Sequence, residues 1–246
     1  MRINEITEAV VDPESAKEHT TTALKGEVLK FIQTKCYDAF EGIHKSHFIC
    51  KGMKRREEPF YFTDSSKILR TSQNTANFYT EFTSNYSELW QQLPPRNRSL
   101  ICTSSASTAM GYSRSKPVYY VFPVNGTKIG ICSEDDFWDS FFNYGKIESM
   151  GEFAEHMHDL QNGLNLNMAD FLATIIPPNA STHNWYELFK YRGKTVYDAL
   201  EDIMNPMKNG FTVLNTAQYY SNRIFNKEVW FSGPAALVRS DIINDL

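Results

Sequence analysis

Glu228 stands directly in front of Val229, Trp230 and Phe231, a strongly β-forming run that turns at Gly233 and Pro234. A carboxylate at the head of a rigid strand is a fixed negative charge, and such charges stabilise positive charge that develops during a reaction. Three small hydroxyl residues, Thr103, Ser104 and Ser105, close the apolar run "SLIC" and are suited to orient a carboxylate by hydrogen bonds. Asn226, two residues ahead of Glu228, offers an amide to position a second reactant. Two basic residues compete to hold an anion, Arg70 in "ILRTSQ" and Lys51 in "ICKGMK". Arginine makes a planar two-pronged contact with a phosphate that lysine reproduces only as a point charge, so Arg70 is favoured and Lys51 supports it. Each residue also has an ordinary structural reading: an edge-strand charge, a helix cap or a surface ion pair.

The elements that must position these residues follow from periodicity. Leu24, Val28, Phe31, Ile32 and Phe40 fall at helical spacing and predict one or two amphipathic helices before residue 45. "HFICKGM" and "FYFT" read as short strands, and "RTSQNTANFYTEFTSNYSELWQQLPP" as a helix capped at Ser72 or Asn74 and ended by Pro94 and Pro95. "SLICTSS" is a buried strand, and "PVYYVFPVNGTKIGIC" predicts a hairpin turning at Asn125 and Gly126. From about 133 to 215 the pattern is helical, and strands return in "GFTVLN" and "EVWFSGPAALV". Without regular strand-helix alternation, an α+β fold fits best. The expected organisation is an N-terminal leader with helices over 1–45 and one domain over 46–246 that carries a helical insertion at about 133–215.

Composition narrows the function. A chain of 246 residues, 41% hydrophobic, can build a sizeable core, and its net charge of −4 gives no general attraction to nucleic acid. Its apolar stretches are shorter than a membrane span, and "MRINEITEAV" lacks the apolar core of a secretory signal, so a cytoplasmic location without membrane partners is expected. Cys36, Cys50, Cys102 and Cys132 lack metal-ligand or disulfide spacing, and neither a GxGxxG nor a GxxxxGK[ST] loop occurs. His156 and His158 lie two apart on a predicted helix and point to nearly opposite faces, so no metal is expected. Glu134, Asp135 and Asp136 open the helix carrying Phe137, Trp138 and Phe141, where negative charge suits the helix dipole.

"SLICTSSASTAMGYS", with Ala109 and Tyr112 after the hydroxyl cluster, resembles the Ser-Thr-Ser element of the NAD-dependent mono-ADP-ribosyltransferases of the arginine-serine-glutamate class. "NKEVWFSGPAALV" is similar to their late strand, with Glu228 in the place of the catalytic glutamate, and "ICKGMK" to their early strand, with lysine where arginine is usual. The resemblance covers mainly residues 46–132 and 211–240. It implies a split β-sandwich core and NAD as a substrate. It also implies transfer of ADP-ribose to a host protein or nucleic acid. Glu228, Ser104 and Asn226 would act in catalysis, and Arg70, Lys51, Thr103, Ser105 and Asn77 would hold the cofactor, although Asn77 and Tyr79 equally suit helix packing. Asn226 departs from the Glu or Gln usual at that position, which leaves the acceptor open.

"INEITEAVV" at residues 3–11 looks like the small-residue-after-glutamate cleavage site of tailed-phage prohead proteases. That similarity implies a phage protein packaged in the head and delivered to the host cytoplasm. Two alternatives share the same residues: a non-catalytic virion or interaction protein with a degenerate fold, favoured by Lys51 and Asn226, and an NAD glycohydrolase. Nothing in the chain points to an obligate oligomer.

Overall fold

The computed structural model describes residues 20–53, 56–70, 79, 80, 82–113, 117–142, 190, 191 and 194–245. Mixed α+β architecture is what it shows, built on antiparallel strands. Among the described residues these are β1 (Thr20–Thr22), β2 (Cys50–Gly52), β3 (Phe60–Asp64), β4 (Leu100–Thr103), β5 (Val118–Pro123), β6 (Lys128–Ile131), the small hairpin β7 (Lys190–Tyr191) and β8 (Lys194–Thr195), β9 (Thr212–Asn215), β10 (Glu228–Phe231) and β11 (Pro234–Arg239). The helices are α1 (Lys25–Lys35), α2 (Tyr37–His44), α3 (Ala106–Ser113), α4 (Asp139–Phe142), α5 (Val196–Ile203) and α6 (Thr216–Ser221).

The main sheet runs β1-β3-β11-β5-β2-β4-β10-β6-β9, with every neighbouring pair antiparallel. Its middle is thin, because β2 and β4 meet through a single residue pair, Cys50 with Thr103. On either side of that seam the strands share one core. Ile49, Tyr119, Val121 and Leu237 come from one half-sheet, and Cys102, Ile129, Val229 and Phe231 from the other.

The expected hairpin at Asn125–Gly126 does not form. The chain turns there, with the Thr127 amide donating to the Val124 carbonyl at 3.1 Å and Gly126 at φ +82°, yet β5 and β6 are separated in the sheet by β2, β4 and β10. Four strand spacings of about 4.8 Å would place them roughly 19 Å apart in a flat sheet, further than this turn reaches. The two half-sheets must therefore fold over each other. The turn residues are held from outside the sheet. Asn125 donates from its amide to the Lys35 carbonyl at 2.7 Å and accepts on Oδ1 from the Asp38 amide at 3.0 Å, and the Gly126 amide donates to Thr216 Oγ1 at 2.8 Å.

The N-terminal segment belongs to this core. β1 pairs with β3, and Val28 and Ile32 of α1 are buried against the sheet as their spacing predicts, with Phe31 and Phe40 half-buried beside them, whereas Leu24 precedes α1 and is exposed. The predicted helix ahead of the paired prolines is broken in its described part into a wide turn at Phe82–Tyr86 and a 3₁₀ turn at Trp90–Gln92, and a further 3₁₀ turn at Arg96–Arg98 follows the prolines. Of the expected helical insertion, residues 143–189, with His156 and His158, lie outside the described residues, as do Asn77 and the leader around Glu8. Its described start holds α4, and its described end holds the β7–β8 hairpin, α5, and β9, which extends the main sheet beside β6.

Candidate active site

Strand alternation sets Glu228 apart from its neighbours. Val229 and Phe231 face the core beneath α1, α2 and α6, while Trp230 faces a second cluster with Trp90, Phe137, Phe141 and Phe211. Glu228 shares the face of Trp230, and only 3% of it is exposed. The register aligns it with Thr103 on β4, which is itself aligned with Cys50 on β2. The strands bearing the lysine, the hydroxyl cluster and the glutamate are thus immediate neighbours.

Ser104 does not touch the carboxylate. Its amide donates to the Lys227 carbonyl at 3.0 Å, and its Oγ accepts from the Lys227 amide at 3.0 Å, extending the ladder one residue past the strand head. On the other side the Glu228 amide donates to the Glu134 carbonyl at 3.2 Å, and the Cys132 amide donates to the Glu228 carbonyl at 2.9 Å. Ser104 therefore positions Glu228 through the backbone. Thr103 Oγ1 accepts from the Ser105 amide at 3.1 Å, and Ser105 Oγ accepts from the Thr108 amide at 3.2 Å, so these two hydroxyls cap the start of α3.

The carboxylate's partner is Arg96, a residue without a periodic or motif signal in the sequence. Arg96 Nη2 lies 2.8 Å from Glu228 Oε1, with side chains 12% and 4% exposed. The guanidinium stacks 3.8 Å from the centre of the Phe137 ring and 4.9 Å from that of Trp230. Trp230 is itself pinned, since its indole Nε1 donates to the Pro94 carbonyl at 2.8 Å and its ring lies across Gly130, where a Cβ would come within 2.4 Å of it. The proline pair read only as a helix stop thus also carries the arginine into place. Arg96 Nη1 and Ser133 Oγ are buried with no hydrogen-bond partner among the described residues, which leaves polar capacity beside Glu228.

Acidic groups surround this pair. Asp136 Oδ1 accepts from the Trp138 amide at 2.7 Å, and the Asp136 carbonyl accepts from Ser140 Oγ at 2.9 Å. Burial, followed by the nearby Glu228 charge, pushes the Asp136 carboxyl up to about 7. Burial and Glu228 also push the Cys132 thiol well up, its Sγ lying 3.9 Å from Glu228 Oε1. Tyr112 on α3 exposes part of its ring, yet desolvation of its hydroxyl and the charges of Glu228, Asp136, Asp135 and Asp139 hold its proton on. The helix expected to open at these acids begins only at Asp139, after Phe137 and Trp138, so its dipole does not account for Asp136, whose side chain lies in the field of Glu228.

The folded protein keeps the Asp136 proton up to a pH at which an unfolded aspartate has lost it, so the folded state binds more protons between about 4 and 7. Stability therefore falls as pH rises through that window and levels off above it. Asp136→Asn is expected to remove this slope and to gain on the order of 2–4 kcal/mol relative to wild type at pH 8. Thermal melts of both proteins at pH 5 and pH 8 measure it. Equal pH dependence in the two would remove Asp136 as the buried titrating group.

The remaining expected site residues are spread out. Lys51 follows Cys50 on β2, so alternation turns its side chain away from the Cys50–Thr103–Glu228 face, and its amine donates to the Ile101 carbonyl at 2.8 Å. Arg70 follows the turn after β3, and its amide donates to the Asn97 carbonyl at 2.7 Å, one residue from Arg96. Asn226 is exposed, with φ +50°, and serves as the left-handed turn residue before β10. Among the described residues no group of three His, Cys, Asp or Glu side chains is arranged to hold a metal ion, and no helix is long and apolar enough to cross a membrane. Comparison with models of protein families, with curated proteins and with solved structures gave no match. The site's own geometry therefore carries the functional reading.

Proposed function

We propose that the protein has an ADP-ribosyltransferase-like core and transfers ADP-ribose from NAD to an acceptor on a host macromolecule, with release of nicotinamide. The observation that carries this reading is the adjacency of β2, β4 and β10, which sets Glu228 at a strand head beside the hydroxyl cluster, with the lysine strand next in line. Heterolysis of the bond between nicotinamide and the ribose leaves the electron pair on nicotinamide and positive charge on the sugar. A carboxylate fixed by backbone bonds on both sides meets that charge without having to reorganise. The thin seam between β2 and β4 and the folding of the two half-sheets agree with the split sandwich that the resemblance implies.

The Arg96 ion pair favours a second reading, a non-catalytic protein on the same frame, because it already neutralises Glu228 as a purely structural carboxylate would be. Labelled NAD separates the two. Purified protein incubated with NAD and host lysate is expected to release nicotinamide and leave label on material sensitive to protease or to nuclease. Release without labelled macromolecule would indicate NAD hydrolysis, and no release at all would leave the non-catalytic reading.

A further inference from the structure

Transfer requires more than a carboxylate facing the sugar. As the acceptor bonds to the ribose carbon it must lose a proton, and some group has to take it. Glu228 has one oxygen committed to Arg96, and Asn226 is exposed, in a left-handed turn, with an amide that is no base. Tyr112 and Cys132 both hold their protons, and the Lys227 amine is bonded to the Ser133 carbonyl.

Asp136 has the placement these groups lack. The segment that carries it is fastened to the head of β10 by the Cys132 and Glu134 backbone bonds to Glu228. The adjacent Phe137 ring lies under the guanidinium that pairs with Glu228. Its Oδ1 is fixed by the Trp138 amide, while Oδ2 has no partner among the described residues. We propose that Asp136 is the general base of the transfer step, accepting the acceptor's proton on Oδ2 while Glu228 faces the ribosyl cation. The inference rests on the ADP-ribosyl transfer reading. In the step, a lone pair of the acceptor nitrogen or oxygen forms the bond to the ribose carbon, whose bond to nicotinamide breaks with its pair on nicotinamide. The proton moves from the acceptor to Asp136 and then to solvent. The proton-accepting group thus lies on the connection after β6 and not at Asn226, two residues before the glutamate.

The charged and titratable groups facing Asp136 are Glu228 on β10, Arg96 before β4, Tyr112 on α3, Cys132 after β6 and Asp139 at the start of α4. Burial and the Glu228 charge outweigh Arg96 and set its carboxyl at about 7, where a base works near neutral pH.

The test measures nicotinamide release and label transfer from NAD between pH 5.5 and 8.5 in wild type, Asp136→Asn and Asp136→Gly. Wild-type transfer is expected to rise about tenfold per pH unit below a midpoint near 7 and then level off. Asp136→Asn is expected to lose about 10²–10⁴-fold of transfer at pH 8 and to show no such rise, with the fold checked by its melt. Added formate, a small carboxylate base, is expected to restore part of the transfer in Asp136→Gly. Wild-type rates and pH profile in Asp136→Asn would overturn the assignment while leaving the Glu228 reading in place. Absence of nicotinamide release from wild type would overturn that reading and the assignment together.

Discussion

Glu228→Gln is expected to slow nicotinamide release from NAD by about 10²–10³-fold, the usual cost of removing one preorganised electrostatic group. The amide keeps the shape of the side chain and removes the charge that meets the sugar cation, so the loss should lie in turnover, with NAD affinity nearly unchanged. Because the ladder from β4 and the backbone bonds to Cys132 and Glu134 do not depend on the carboxylate, the strand head should stay in place, while the Arg96 charge left without its partner lowers the stability of the fold. Single-turnover assays with a parallel titration of NAD binding check both halves of the expectation. Full turnover in Glu228→Gln would take this residue out of the chemistry and leave its ion pair as its whole role.

Arg96→Met is expected to destabilise the fold by about 3–5 kcal/mol, because removing one partner of a buried pair leaves the other as an uncompensated charge. Methionine fills the space between Phe137 and Trp230, so the cost reads the lost charge more than a cavity. Combining Arg96→Met with Glu228→Gln should recover most of that loss, since the double variant buries no unpaired charge. Urea denaturation of the two single variants and the double variant gives the coupling directly. Additive effects, or an Arg96→Met loss below about 1 kcal/mol, would show that the 2.8 Å contact contributes little.

Local patterns in the chain identified what local physics decides. The helical spacing of Val28 and Ile32, the apolar run that became β4 and the β-forming run after Glu228 each depend on neighbours within a few residues. The hydroxyl triplet reads as a strand end and stands at the end of β4 beside Glu228, although its hydrogen bonds fix backbone and cap α3 and do not orient the carboxylate. Asn125–Gly126 shows the limit of such reasoning. The turn chemistry was right, but contacts from Lys35, Asp38 and Thr216 decide which strands flank it. Arg96 was invisible for the same reason, since its partner is far away in sequence and only the ladder between β4 and β10 brings the two together. Arginine's better anion geometry favours Arg70, which follows the turn after β3, while Lys51 lies on the strand beside the hydroxyl cluster with its side chain turned from the Glu228 face, a separation that only the sheet order sets.

The position of the last two strands governs the order in which the molecule can be assembled. β10 lies between β4 and β6, and β11 lies between β3 and β5, so each half-sheet waits for residues 228–239 to fill an inner row. A growing chain on the ribosome that has not yet produced those residues carries bare inner edges on both halves. Contacts spanning so much sequence close slowly, and unpaired edges are the surfaces on which chains aggregate. Closure also brings Glu228 to Arg96 and to the Asp136 segment, so the candidate site comes into being together with the sheet, and a chain interrupted before β10 lacks the carboxylate at its centre.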